Sequence, residues 1–231
     1  MKNVVYRTEK KYYIPWEMSI KIQEELQKLL ECDSHSKDGY YCVRSLYFDS
    51  IDDRDYYEKD AGIYLRRKIR LRIYDTNDTH AKLEIKAKEG DNQNKSSLIL
   101  TREQARLLQE GEYSVLLDID DELAYTLYTV MTLNVYRPVA LIEYDRRAFV
   151  FDAFNIRITF DTNVRSDEIN LDVYNEAPEW NYILNESVVL EVKYDGKLFE
   201  PIADLLKKYN LVQSSYSKYV SGREIINTYS F

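Results

Sequence analysis

Cysteine and histidine are almost missing from this chain, with two of each in 231 residues. Cys32 and Cys42 form neither a CxxC spacing nor a disulfide framework, which fits a reducing compartment. His35 sits in a polar loop, DSHSKDG, and His80 follows the turn DTNDT; both read as solvated. A histidine-based triad or a histidine-rich zinc site is therefore not expected. No apolar run approaches the roughly 18 residues of a membrane helix, so no membrane segment is expected. The opening MKNVVYRTEKKYYIP has no long apolar core, so no signal peptide is expected and the protein is read as cytoplasmic. An excess of positive charge is also lacking: 32 basic against 40 acidic residues give a net charge of -8. That argues against general duplex DNA binding, and no nucleic-acid partner is expected. It leaves room for a focused basic cavity, because local field depends on arrangement rather than total.

What is present is an ordinary globular composition, 45% hydrophobic and 31% charged. The length suffices for a core without staples, and one domain over 1–231 is expected. The 22 tyrosines read as amphipathic packing residues rather than stacking platforms.

The informative pattern is alternation. Lys68-Ile69-Arg70-Leu71-Arg72-Ile73 and Lys82-Leu83-Glu84-Ile85-Lys86-Ala87-Lys88 put a charged residue at every second position of strand-like sequence, and the charges are mostly basic. Arg157-Ile158-Thr159-Phe160-Asp161 and Glu191-Val192-Lys193 continue the theme. Strand side chains alternate between faces, so each stretch carries one charged and one apolar face.

Along the chain, strands are predicted at Val4 to Ile14, Tyr40 to Asp49, Ile63 to Tyr74, Ala81 to Lys88, Ser96 to Leu100, Val139 to Phe151, Ile156 to Asn163 and Val188 to Tyr194. Helices are predicted after Pro15 and in a short piece that follows Ser50-Ile51-Asp52-Asp53, which resembles a capping box, and ends near Gly62. Others follow a second capping-box pattern, Thr101-Arg102-Glu103-Gln104, run from Asp120 to Leu133 with Leu123, Leu127 and Val130 inward, begin at Pro201, and cover Tyr216 to Ile226. The fold class read from this is α+β: a large antiparallel sheet, with amphipathic helices covering its apolar faces. Helices outside would leave the charged faces inside a closed or nearly closed barrel or tunnel.

For one strand, a solvated face explains the alternation as well. For the set, the polar positions are dominated by Arg and Lys in an otherwise acidic chain. Like charges side by side repel, and buried cations are costly without anions. Phosphate oxygens suit such an array, because guanidinium binds them bidentately and ammonium serves as a point charge. The carboxylates among the cations, Glu9, Glu84, Asp161 and Glu191, read either as internal counter-ions or as ligands for Mg²⁺ or Mn²⁺.

The ordered motifs are Arg7-x-Glu9-x-Lys11-Tyr12, SLYFDS at 45–50, KIRLRIY at 68–74, LEIK at 83–86, EYDRRAF at 143–149, IRITFD at 156–161, LEVKYDG at 190–196 and SKYVSG at 217–222. Together they resemble the VTC domain, the polyphosphate polymerase domain of the triphosphate tunnel metalloenzyme (CYTH-like) superfamily. The resemblance implies a tunnel that binds a chain of phosphates, and transfer of the ATP γ-phosphate onto a growing polyphosphate chain. It implies that Arg70, Arg72, Lys86 and Arg157 hold the triphosphate as catalytic residues, and that Lys11, Lys193, Lys218, Arg146 and, more loosely, Lys95 grip phosphate. Arg7 joins this binding set; it stands where the hydrolase branch has Glu, and so resembles the polymerase branch. Glu191 matches the metal-binding glutamate, for Mn²⁺ or Mg²⁺. Pattern alone leaves open whether Arg146 or Arg147 faces inward; Arg146 is chosen by resemblance. Family members often carry a lysine at the position of Ser215, which departs from that pattern.

The terminal phosphate of an acceptor is already a nucleophile, so positioning and charge neutralisation would carry such a transfer. The alternatives kept open are a triphosphatase on the same scaffold, a non-catalytic polyphosphate or inositol-phosphate binding module, and a plain sheet with a solvated face.

Overall fold

The computed structural model describes residues 7–36, 39–90, 92–184 and 186–229. Its elements follow in chain order: β1 (Arg7–Pro15), α1 (Trp16–Leu26), β2 (Glu31–Cys32), β3 (Tyr41–Asp49), α2 (Arg54–Asp60), β4 (Leu65–Ile73), β5 (His80–Glu89), β6 (Asn92–Thr101), α3 (Arg102–Gln109) and α4 (Glu122–Leu133). β7 (Arg137–Phe151), β8 (Ile156–Asp167), β9 (Asn181–Tyr182), β10 (Ser187–Asp195), α5 (Glu200–Lys207) and α6 (Lys218–Tyr229) complete the chain. The strand order is β1-β10-β8-β7-β3-β4-β5-β6, with β2 on β7 and β9 on β8. The fold is α+β and its sheet antiparallel in every register described. The order is a path ending at β1 and β6 rather than a hydrogen-bonded ring.

The chain divides into two compact units, 1–42 with 144–164 and 182–217, and 43–143 with 165–181 and 218–231. In the first, the even-numbered side chains of β1, β8 and β10 form an apolar face: Ile14, Ile158, Phe160, Leu190 and Val192 are buried with Phe149. Ile22 and Leu26 of α1, and Ile202, Leu205 and Leu206 of α5, cover it. In the second, Leu46 and Phe48 of β3, Ile69 and Leu71 of β4, Leu83 of β5 and Leu98 and Leu100 of β6 pack against Ala105 and Leu108 of α3 and Ala124, Leu127 and Met131 of α4. In each unit, then, helices take the apolar face, and the charged residues of the same strands project from the other.

Local chemistry sets the element ends. The Thr101 hydroxyl accepts from the Gln104 amide at 3.2 Å and the Gln104 side chain accepts from the Thr101 amide at 2.9 Å, so the expected capping box starts α3. Gly111, at φ 90°, supplies the left-handed turn past its end. The start of α2 differs from expectation. Asp53 has φ 52° and makes no side-chain cap. The Asp49 carboxylate instead accepts from the amides of Ser50 (2.7 Å), Asp55 (2.9 Å) and Tyr56 (2.9 Å), and Ser50 Oγ accepts from Arg54 at 3.0 Å. In α4 the buried residues are Ala124, Leu127 and Met131, one step round from the expected stripe of Leu123, Leu127 and Val130, which keeps only Leu127 fully inside.

Candidate functional site

Two groups of charged side chains stand on the strand faces opposite the apolar cores, one in each unit. In the first unit the antiparallel registers bring odd-numbered residues into rows. Lys11 lies opposite Glu191, and Glu191 opposite Thr159. The next row is Glu9, Lys193 and Arg157. Lys193 Nζ is 3.1 Å from Glu191 Oε1. Lys11 Nζ stands 3.3 Å from Glu9 and 3.9 Å from Glu191, bridging the two carboxylates. From β7, Arg146 meets Asp161 through two bonds of 2.6 and 2.8 Å and comes within 3.9 Å of Glu191. Arg157 pairs with Asp33 and donates to the Tyr41 hydroxyl at 3.2 Å. Burial opposes ionisation of Glu191, but Lys193, Lys11, a hydrogen bond with Glu9, and Arg146 outweigh it and hold its pKa well below the usual carboxylate range.

In the second unit the centre is Glu84 of β5. Arg70 Nε lies 2.7 Å from it, Lys95 Nζ 2.5 Å and Arg72 Nη1 3.7 Å. Burial raises the Glu84 pKa, but Arg70, Arg72 and Lys95 together bring it down to about 2. Tyr47 of β3, opposite Arg70, accepts from its guanidinium at 3.0 Å, and Ser45 accepts from Arg72 at 3.1 Å. One row along, Lys68, Lys86 and Lys95 stand directly opposite one another on three adjacent strands. Like charges in register repel, and Lys95 is offset by its pairing with Glu84. Lys68 Nζ also lies 5.6 Å from the centre of the Tyr219 ring, which stacks on Tyr47 with centroids 5.0 Å apart.

The structure thus brings Lys11, Arg146, Lys193 and Glu191 together in one group, with Arg157 in the adjoining row. It brings Arg70, Arg72, Lys86 and Lys95 together in the other. Lys218 opens α6 in the second unit. Arg7 begins β1, but its side chain lies outside the described residues. Arg147, the alternative to Arg146, donates to Gln23 at 3.2 Å and sits over the Phe149 ring on the apolar side. Sequence reasoning left three contributors out of the candidate set: Lys68, inside the quoted basic stretch; Asp33, in a loop; and Tyr47, within SLYFDS. Of these, only Lys68 carried an alternation signal.

Among the described residues, no group of three or more His, Cys, Asp or Glu side chains could hold a metal ion. Glu9 and Glu191 are the adjacent oxygen donors, and the Lys11 ammonium between them shows that the spot accepts positive charge. An all-oxygen pair fits a hard divalent cation whose remaining ligands come from phosphate and water.

No helix among the described residues is long and apolar enough to cross a membrane. The chain is similar in structure to a Bacillus halodurans protein provisionally assigned as an adenylate cyclase, with a TM-score of 0.56 and 12% identity over 92% of this chain and 95% of that one. It is also similar to a Vibrio parahaemolyticus protein given the same provisional assignment, with a TM-score of 0.47 and 12% identity over 92% and 94% of the two chains. At such identity the first likeness shows a shared fold. No curated protein sequence matches the chain. The sequence profile of the VTC domain matches residues 6–227, nearly the whole length. The chain belongs to the VTC domain family.

Proposed function

We propose that the chain is a cytoplasmic phosphotransferase of the polyphosphate polymerase type, moving the γ-phosphate of ATP onto the end of a polyphosphate chain. The observation that carries this reading is the row Lys68, Lys86 and Lys95 beside Arg70 and Arg72, with Glu84 as the carboxylate at its centre. Three cations on Glu84, with Lys68 and Lys86 in the adjoining row, suit a ligand carrying several linked negative charges. The family match supports the same reading.

In this mechanism Arg70 and Arg72, fixed by Glu84, Tyr47 and Ser45, offer guanidinium edges to phosphoryl oxygens. Lys86 and Lys95 add movable point charges. In the first unit, Lys11, Lys193, Arg146 and Arg157 attract phosphate, with Lys218 and Arg7 as further binding residues. Mn²⁺ or Mg²⁺ would be held by Glu191 with Glu9, and when bound would neutralise charge on phosphoryl oxygens. The acceptor's terminal phosphate needs no general base, in keeping with two histidines that are both exposed.

The test is incubation of the purified chain with ATP and Mn²⁺, followed by gels stained for long polyphosphate. Polymer is the expected product. Free phosphate without chain growth would identify a triphosphatase instead. Tight anion binding that survives Glu191→Ala, with ATP untouched, would identify a binding module.

A further inference from the structure

Among the described residues, the face that carries the Glu191 group has a threonine whose buried hydroxyl makes no hydrogen bond. Thr159 lies directly opposite Glu191, in the row that also contains Lys11. It is 2% exposed, and its hydroxyl oxygen has no hydrogen-bond partner. Every charged neighbour on that face is engaged: Glu191 by Lys11 and Lys193, Asp161 by Arg146, and Arg157 by Asp33. A buried hydroxyl left unsatisfied is destabilising, and valine would fill the same volume on a strand without that penalty. The hydroxyl therefore calls for a partner that the described residues do not supply.

Lys11, Lys193, Arg146 and Arg157 make the surroundings favourable to an anion, and a hydroxyl donating to an anionic oxygen forms a strong charge-assisted bond. We propose that the Thr159 hydroxyl donates a hydrogen bond to a phosphoryl oxygen bound at the Glu191 group, which makes Thr159 a further substrate-binding residue. The inference rests on the phosphate-binding reading above and deepens it. An uncharged donor here fixes the position of one oxygen without adding to the mutual repulsion of the cations. Both ATP and a polyphosphate end could supply that oxygen.

The experiment is calorimetric titration of the full chain, and of Thr159→Val and Thr159→Ser, with tripolyphosphate and separately with ATP, alongside melting temperatures. We expect Thr159→Val to bind about tenfold more weakly and Thr159→Ser to stay within about twofold of the parent. We expect the valine variant to melt no lower than the parent. Loss with both ligands assigns the oxygen to a shared triphosphate; loss with one assigns it to that ligand. Equal affinity of parent and valine variant overturns the role of Thr159 and leaves the phosphate reading standing. So does a parallel fall in affinity and melting temperature that serine does not rescue. A parent chain that takes up neither anion overturns both.

Discussion

Arg146 holds Asp161 with two edges of its guanidinium, Nε to Oδ1 at 2.6 Å and Nη2 to Oδ2 at 2.8 Å. Asp161 is fully buried, so this pair has no water to replace a lost partner. Arg146→Ala should therefore cost about 3–5 kcal/mol, the range for stranding one member of a buried pair. Arg146→Lys should recover only part, since an ammonium cannot make both bonds. The neighbouring Arg147→Ala removes a contact with the Phe149 ring and a bond to Gln23, and should cost less than about 2 kcal/mol. Urea unfolding of the three variants measures these differences.

Glu84 ties stability to acid. Its folded pKa of about 2 lies below the ordinary 4.5, so its contribution is complete above the ordinary value and is lost as pH falls towards 2. After allowance for screening this should be of order 2 kcal/mol. Glu84→Gln should be less stable than the parent at pH 6, and the gap should close as pH falls from about 4.5 to 2. Denaturant midpoints across that window measure it.

Asp55 acts in the opposite sense. Burial, then the charge of Asp49, raise its pKa to about 7, against the Tyr136 hydroxyl, which donates to the two carboxylate oxygens at 3.0 and 2.9 Å, and the charge of the Arg67 guanidinium 3.6 Å away. A carboxyl raised in the folded state favours folding at low pH and loses that contribution as pH rises through 7. Asp55→Asn should flatten this slope and melt higher than the parent at pH 8, by roughly 1–2 kcal/mol of stability. Melting temperatures at pH 5 and pH 8 check it.

Glu191→Gln keeps the shape of the site and removes its anionic oxygen. Lys11, Lys193 and Arg146 would then lose the carboxylate they share, so metal-free tripolyphosphate should bind more tightly. Turnover dependent on Mn²⁺ should fall by about 10²-fold or more, as charge neutralisation at a transferring phosphoryl group is lost. Metal titrations of activity, with binding measured in chelator, separate the two effects.

Much of this was legible in the sequence because strand periodicity of two is strict. Once Ile69 and Leu71 face a helical layer, Arg70 and Arg72 must face away from it, and the same holds for Val192 against Glu191 and Lys193. Thr101 and Gln104 announced their cap because that motif is local. The parity of β7 was not legible: EYDRRAF has a side chain of use on either face, and only the Arg146–Asp161 pair decides. The cap of α2 was missed because Asp49 reaches forward from the end of a strand, outside the usual spacing. Strand β8 runs past Asn163, which has φ 50°, so a residue that reads as a strand end is an irregularity within one. The buried Arg44–Glu143 pair, at 2.5 Å, joins residues 99 apart and left no local signal.

The most direct test of the phosphate-binding claim is calorimetric titration of the chain with tripolyphosphate, repeated at rising salt and with Lys86→Ala. We expect saturable heat whose affinity falls with salt and drops about tenfold in the variant. No heat with tripolyphosphate, or binding indifferent to Lys86, would contradict it.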